Sequence, residues 1–307
     1  MLERTTTGGY ANRVYAESFS EWATPRLLPQ SEAWILERSV PKSPYHDAMG
    51  CYPLFVCPDW SKLREDLDLL EGKLVTLSLV TDPFGGYDYN YLTHCFPDRM
   101  TQFKLHFVAD LQKPIDEIVS KHHRYYAAKA LANITVEKVT DPIELLDDWV
   151  TLYDNLTARH ALTGIKAFSK AAFAIQLRVP GLVMLRAVCG SETVGMHLWY
   201  LDGEVAQSHL AALNRRGYEL MASYALYWSA IEVFAGTVRW LNFGAGAGTG
   251  AAKLDGLTRF KQGWATETRP SYFCGRIFDH KKYLELSEAN KNSSDRYFPA
   301  YRAGEFS

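Results

Sequence analysis

The amino-acid sequence predicts an α+β fold, in which mixed sheets are covered by helices. The main observation is the order of elements in the second half: two helices, a strand, a pair of hairpin strands, a helix, a strand, a short helix and a strand. The first half repeats this order faintly. With 307 residues, 47% of them hydrophobic, the chain is long enough for about two domains. The predicted division is 1–133, 134–280 and 281–307, the last being a polar tail at the periphery.

Alternating and β-branched residues predict three strands in the first half, over 33–41, 73–83 and 101–111. A helix is predicted over 60–72, with Ser61 as its N-cap and Gly72 at its end. A second helix is predicted from Pro114 to about Ala132, because proline is favoured in the first turn.

The second half opens with a predicted strand over 134–140 and a long amphipathic helix over 141–162. The following predicted elements are a helix from Ser169 to before Pro180, strands 182–189, 193–201 and 204–213, a helix 218–234, a strand 237–243, a short helix 253–262 and a strand 268–278.

The predicted hairpin turns at Asp202-Gly203, so His197 would lie opposite Ser208, and Met196 opposite His209. If no bulge intervenes, alternation along the strands then places the two histidines on opposite faces of the sheet.

Composition limits the classes of function. The net charge is -2, from 33 basic and 35 acidic side chains, so no global basic field attracts nucleic acid such as DNA, or anionic lipid, and a local basic patch stays open. The N-terminus lacks the apolar segment of a signal peptide, and no run approaches the roughly 18 apolar residues of a spanning helix. We therefore expect a soluble, cytoplasmic protein with reduced cysteines. No metal site is predicted, because adjacent His122 and His123 diverge on a helix.

The stretch LNFGAGAGTGAAKLDGLTRFKQGW (241–264) has glycine at every second position from Gly244 to Gly250. It lacks the Gly-Lys-Ser/Thr of a phosphate-binding P-loop. Gly246, Gly248 and Ala251 match part of a dinucleotide fingerprint, but no long helix follows and no βαβ repeats extend it. A nicotinamide-dependent oxidoreductase is therefore disfavoured, and a flexible loop is the simple alternative.

Residues 181–246, followed by GLTRFKQGWATETRP, resemble the FemAB-like branch of the GNAT acyltransferase superfamily. The resemblance rests on a strand ending in Phe243-Gly244, the glycine-rich loop and a GL-x-x-FK-x-G-[FW] signature, matched here by Gly256-Leu257 and by Phe260 to Trp264. It covers about residues 120–278. It implies two tandem GNAT-like units, each a mixed, mostly antiparallel sheet flanked by helices: a degenerate unit over 1–133 and an acyltransferase unit over 134–280.

The resemblance also implies where an acyl donor binds. In the pattern [QR]-x-x-G-x-[GA], amides at a helix N-terminus hold the pyrophosphate of coenzyme A. The corresponding residues are Asn214 to Glu219, so Arg215, Arg216, Gly217 and Tyr218 are cofactor-binding candidates. Asn214 and Glu219 depart from the pattern. A solvated turn before a helix is the alternative.

Three residues are candidates for catalysis. Lys261, in the signature, would hold a phosphate or stabilise an oxyanion. His209 would accept the amine proton, with His197 as a weaker candidate. Tyr227, like Tyr224, would donate a proton to the leaving group. Each has a plain alternative: a surface lysine, a buried histidine and a core tyrosine.

Gly244 and Gly246 are cofactor-binding candidates, because glycine lets a backbone pass close to a ligand.

The predicted function is N-acyl transfer from acetyl-CoA or another acyl-CoA to an amine by direct attack, without a metal. The amine would belong to a small molecule, a cell-wall precursor or a polysaccharide. Two alternatives stay open: an aminoacyl-tRNA donor, and a non-catalytic binding protein that retains the fold.

Overall fold

The structure is a computed structural model that describes residues 8–246, 255–290 and 297–305. Its contacts divide the chain into two interleaved units. The catalytic candidates lie in unit 1, made of residues up to Gly9, Lys104–Leu162 and Ala167–Arg269. Unit 2 is made of Tyr10–Phe103, Thr163–Lys166 and the residues from Pro270 onward. The division of the chain into two tandem GNAT-like units at residues 133/134 stays a prediction.

The strands of the described chain are β1 Thr24–Leu28, β2 Ala33–Ser39, β3 His46–Gly50, β4 Thr76–Val80, β5 Arg99–Asp110, β6 Thr135–Lys138, β7 Leu182–Cys189, β8 Glu192–Asp202, β9 Val205–Leu213, β10 Trp240–Ala245 and β11 Glu267–Ile277.

The α-helices are α1 Arg13–Glu17, α2 Leu63–Asp68, α3 Tyr89–Cys95, α4 Ile115–Ile118, α5 Lys121–Leu131, α6 Leu146–His160, α7 Lys170–Gln176, α8 Arg215–Glu219, α9 Ala222–Phe234, α10 Gly256–Gln262 and α11 His280–Ala289.

The sheet of unit 1 has the order β5-β10-β9-β8-β7-β6. Its pairs are antiparallel except β10 and β9, which are parallel. The apolar helix α9 covers one face, over Trp199, Leu241 and Phe243. Helices α6 and α7 cover the other, where Trp149 and Phe173 are buried. Both faces are apolar because both are covered.

The sheet of unit 2 has the order β1-β2-β3-β4-β11, in which β3 and β4 are the parallel pair. Phe55, Trp60 and Leu77 are fully or almost fully buried in its core. Each unit is thus a mixed, mostly antiparallel sheet with helices, which confirms the predicted α+β class.

Most predicted elements are present, but two predicted helices are interrupted. The helix predicted from Pro114 is broken at Val119, which is extended, and restarts when Ser120 caps α5. The helix predicted over 218–234 begins earlier, as α8, and breaks at Met221, which is left-handed with φ 59°. Neither break contains a glycine or an internal proline from which the sequence could have predicted it.

Two local predictions were wrong. Asp59, not Ser61, caps the turn before α2, because its carboxylate accepts from the Ser61 amide. The polar tail is not wholly peripheral, since Tyr301 and Arg302 are buried in unit 2.

The predicted hairpin register was also wrong. Asp202 pairs with Val205, and a bulge follows between Leu198 and Trp199, so His197 lies opposite Ala211. The prediction that the histidines face opposite ways agrees with the structure: His197 contacts Tyr227 of α9, and His209 contacts α7.

No helix in the described part of the chain is long and apolar enough to cross a membrane.

Candidate active site

The parallel strands β9 and β10 separate within unit 1 and leave a fork. They pair only from Val205–Trp240 to Gln207–Asn242. Beyond this point β9 continues to Leu213 beside β8, while β10 shifts its register against β5 so that Ala245 pairs with His106. Within the described residues, the part of β9 after Gln207 is therefore not paired with β10, and backbone groups at such an opening can hydrogen-bond a ligand.

Lys261 lies at this fork. Asp255 caps α10 by accepting from the Thr258 amide, and the helix then carries Lys261 to the end of β10. The Lys261 Nζ donates to the Ala245 carbonyl oxygen at 2.7 Å. Burial, together with the positive charge of nearby Lys104, lowers the pKa of Lys261 to about 8, and Asp255 opposes this change. The ammonium is thus held in surroundings that disfavour its charge.

Gly244 and Gly246 make room for α10. Gly244 has φ +77°, and a Cβ there would lie 3.1 Å from the Lys261 Nζ. A Cβ on Gly246 would lie 2.1 Å from the Thr258 Oγ1. We expected a ligand to lie close to Gly244 and Gly246. In the structure the side chains of Lys261 and Thr258 on α10 lie there instead. Gly248 and Gly250 lie outside the described residues.

Tyr227 reaches the fork from α9. Its ring stacks on Phe243 at 5.3 Å and on His197 at 4.9 Å between centroids. Burial raises the pKa of its hydroxyl to about 12, with the side chain of Ser208, the residue after the last strand pair, opposing the change. The Ser208 Oγ is also 2.8 Å from the His197 Nε2.

A second polar chain lies on the opposite face, because successive residues of a strand alternate. The Asn242 Nδ2 donates to the Gln207 Oε1 at 2.6 Å, and the Asn242 Oδ1 accepts from the Gly244 amide at 2.9 Å. His106 Nδ1 is 3.2 Å from the same Oδ1 and must donate to it. Burial lowers the pKa of His106 to about 4, so its imidazole is neutral at pH 7.

His209 is not brought together with Lys261 and Tyr227. Its Nε2 is 3.3 Å from the Gln176 Oε1, and its ring lies near those of Tyr200 and Phe168. Burial lowers its pKa to about 3. Its role as the base stays a prediction.

The predicted phosphate turn is engaged by acidic side chains. Arg215 pairs with Glu219 at 2.9 Å, and Arg216 pairs with Glu192 at 2.9 Å. The Asn214 side chain already accepts from the Gly217 amide.

The other two candidates in this turn have packing roles. A Cβ on Gly217 would lie 2.1 Å from the Val194 carbonyl oxygen, so glycine is required for packing. The guanidinium carbon of Arg159 lies over the ring of Tyr218, 4.1 Å from the ring centroid. Phosphate binding by these four residues stays a prediction.

His123 is a structural residue that the sequence did not reveal. Its Nε2 donates to the Phe260 carbonyl oxygen at 3.0 Å, and its Nδ1 is 2.8 Å from the Ser120 Oγ. It joins α5 to α10 beside Trp264. Its neighbours Lys121, His122 and Arg124 are polar, and no local pattern predicts that the ring is buried. The described residues contain no group of three or more potential metal ligands.

Comparison with solved structures shows a FemAB-like fold, as the sequence resemblance predicted. FemX matches with a TM-score of 0.67 at 14% identity, over 92% of this chain and 95% of FemX. The C-terminal domain of a lysylphosphatidylglycerol synthetase from Agrobacterium fabrum gives 0.62 at 12% identity, over 92% of this chain and 91% of that domain. L-PGS from Bacillus licheniformis gives 0.56 at 13% identity, over 91% and 95%. At these identities the likeness concerns the fold.

No family model matches the sequence, and no curated protein matches it.

Proposed function

We propose that this protein transfers an acyl group from an activated donor to an amine, and that the reaction takes place at the fork. The observation that carries the proposal is the part-buried Lys261 ammonium, hydrogen-bonded to the end of β10 just beyond the last pair that β10 makes with β9. A donor in such a place stabilises developing negative charge far more than it would in water.

The proposed reaction is a direct displacement. The amine nitrogen attacks the acyl carbonyl carbon, the C–N bond forms, and the C–S bond of a thioester or the C–O bond of an ester breaks. The amine proton passes to a base, and the leaving sulfur or oxygen takes a proton. Lys261 leaves the Ala245 carbonyl and donates to the acyl oxygen while that oxygen is negatively charged.

Acyl-CoA, such as acetyl-CoA, is the first candidate donor. Its thioester end would enter between β9 and β10 beyond their last strand pair, and the reaction as proposed uses no metal. The acceptor is an amine of a small molecule, a cell-wall precursor or a polysaccharide.

Aminoacyl-tRNA is the second candidate donor, favoured by a specific observation. Glu219 and Glu192 already pair with Arg215 and Arg216, which leaves little net positive charge for a pyrophosphate at α8. Lysylphosphatidylglycerol synthetases, which share the fold, are named for an aminoacyl product. An aminoacyl ester would present the same carbonyl to Lys261 and place its phosphates elsewhere.

Turnover of both donors tests the proposal. Purified protein is incubated with acetyl-CoA or lysyl-tRNA and a panel of amines, and thiol release or amide formation is measured. We expect amine-dependent turnover of one donor, and a fall in kcat of about 100-fold in Lys261→Ala. Lys170→Ala is the matched control, because Lys170 is an exposed lysine paired with Asp147 at the surface.

Two results would contradict the proposal. Turnover unchanged in Lys261→Ala would remove Lys261 from the reaction. Binding of a donor without turnover under any condition would indicate the non-catalytic binding protein.

A double charge reversal separates the two donors. Arg215→Glu/Arg216→Glu should leave lysyl transfer unchanged, and it should raise the KM for acetyl-CoA only if the pyrophosphate binds at α8.

A further inference from the structure

A cavity of about 330 Å³ is lined only by residues of unit 2. Its walls come from Asp98, from Arg99 at the start of β5, from Ile277 at the end of β11 and from the N-terminal part of α11. Pockets that bind small molecules have volumes of about 300–1,000 Å³. The cavity is thus large enough for a small organic molecule, and none of its residues belongs to the candidate active site.

Arg99 is a charged residue of this cavity whose side chain has no partner among the described residues. Its Nε is buried and makes no hydrogen bond. Every other arginine that the structure describes in unit 2 pairs with a carboxylate, namely Arg13, Arg26, Arg38, Arg64, Arg276 and Arg302. Because a buried donor is normally satisfied by protein, water or a ligand, the Arg99 guanidinium is available for an acceptor that enters the cavity.

The neighbouring carboxylate of Asp98 is engaged by other groups. Its Oδ2 accepts from the Ile277 amide at 2.7 Å, and its Oδ1 lies 3.8 Å from the His280 Nε2. The negative charge of Asp98 nevertheless limits what can enter, because it repels a dianion more strongly than a monoanion. The charges around the cavity therefore favour a ligand with a single negative charge beside Arg99.

The remaining wall of the cavity is largely apolar and aromatic. The rings of Tyr283 and Phe298 are stacked, with their centroids 6.0 Å apart, and Leu284 lines the cavity with 59% of its surface exposed. A ligand that fills this space needs an apolar body as well as a charged group.

A guanidinium holds a carboxylate through two parallel N–H···O bonds, and the Nε can supply one of them. We propose that unit 2 binds a small monocarboxylic acid in this cavity. Its carboxylate pairs with Arg99, and its aromatic or branched aliphatic body packs against Tyr283 and Phe298. This site goes beyond the proposed acyl transfer, since Lys261 belongs to unit 1, and its occupancy is measurable without turnover.

Nitrogen NMR of the purified full chain tests the site directly. The ¹H–¹⁵N signal of the Arg99 Nε is identified by its loss in Arg99→Lys, and the protein is titrated with phenylacetate, 4-methylpentanoate, the neutral phenylacetamide and the doubly charged phenyl phosphate. We expect a saturable shift of this signal with at least one of the two carboxylates, none with the amide, and weaker binding of phenyl phosphate.

Three results of the titration would overturn the proposal. They are no shift with either carboxylate at tens of millimolar, an equal shift with phenylacetamide, and tighter binding of phenyl phosphate than of either carboxylate. The last result would assign the cavity to a phosphate compound.

Two variants test the contacts separately. Arg99→Met should raise the Kd of the carboxylate about 10–100-fold, because a hydrogen-bonded charge is lost. Its melting temperature should stay close to that of the wild type, because no carboxylate of the protein is left unpaired. Arg13→Met is the matched control, since Arg13 is an exposed arginine paired with Glu17, and it should leave the Kd unchanged.

Leu284→Trp narrows the cavity at a side chain that is largely exposed, so the variant should fold and should also raise the Kd. An unchanged Kd in Arg99→Met, or in Leu284→Trp if Arg99→Met does not fold, would overturn the proposal.

Discussion

Lys261 is the residue whose surroundings are most specific to the candidate site. Its pKa falls because the side chain is buried and because Lys104 adds a second positive charge nearby. The positive charge of Lys261 in turn lowers the pKa of His106 and of His197, which burial already lowers. One ammonium therefore acts on both faces of the fork, and it adds to the burial that keeps both histidines neutral.

The lowered pKa predicts how stability depends on pH. Between about 8 and 10.5 the unfolded chain binds the Lys261 proton and the folded chain does not, so stability rises with pH through this range. From pH 7 to 9.5 the gain should be about 2 kcal/mol larger in the wild type than in Lys261→Met. Urea unfolding at each pH measures it, with Lys170→Met as the control. Parallel pH profiles for wild type and Lys261→Met would show that Lys261 has an ordinary pKa.

At the scale of elements, the position of α10 determines the site. The helix is fixed at its C-terminal end by His123 of α5, whose Nε2 donates to the Phe260 carbonyl oxygen. Gly263 follows the helix, and a Cβ there would lie 2.0 Å from the His123 ring. The last glycine of the signature is thus explained by the contact between α10 and α5.

Substitution of Gly256, the first residue of α10, and of Gly263, which follows the helix, should have opposite outcomes. Gly263→Ala should lower the free energy of unfolding by about 1–3 kcal/mol, because the added methyl group overlaps His123. Gly256→Ala is the matched control, since its Cβ would meet nothing within 4 Å and alanine favours the helix. Chemical denaturation measures both. Similar losses in the two variants would argue against the contact.

Sequence patterns predicted the helices and strands better than the bulges and breaks within and between them. The signature predicted α10 and Lys261, and the alternation along β8 and β9 predicted that His197 and His209 face opposite ways. The bulge in the hairpin and the left-handed Met221 were not predictable, since no glycine or proline marks them. They arise from how β9 and α9 pack, which local sequence does not encode.

At the scale of the whole molecule, the C-terminal residues are part of the core of unit 2. Arg302 donates to both carboxylate oxygens of Asp47, which is completely buried, and Tyr301 donates to the same carboxylate. Arg38 lies 3.5 Å from Asp47. A buried carboxylate needs such partners, because an unpaired buried charge is costly.

Loss of this pairing should destabilise unit 2. Arg302→Met removes the main partner of Asp47 and should lower the free energy of unfolding by about 3–5 kcal/mol. Arg13→Met, which breaks a surface pair with Glu17, should cost at most about 1 kcal/mol. Calorimetry of both variants measures the difference. Equal and small effects would show that the C-terminal segment is dispensable.

The site could be predicted from sequence only in part. Lys261 and Tyr227 lie on two helices, α10 and α9, that the sequence predicted within the region of the family resemblance. His106, Ser208 and His123 acquire their roles from strands and helices more than a hundred residues away or from a shifted register. A single sequence states which side chains exist, but contacts such as His106 with Asn242 follow only from the order of strands.

Donor-induced stabilisation tests the central claim that an acyl donor binds at the fork beside Lys261. Melting temperatures are measured with acetyl-CoA and, separately, with an amide-linked lysyl-RNA minihelix, for the wild type and for Lys261→Gln. A ligand at about 100 times its Kd adds roughly 2.7 kcal/mol to stability. We expect at least one donor to raise the melting temperature of the wild type, and to raise the melting temperature of Lys261→Gln less. No increase with either donor at millimolar concentration, or an equal increase in both proteins, would contradict it.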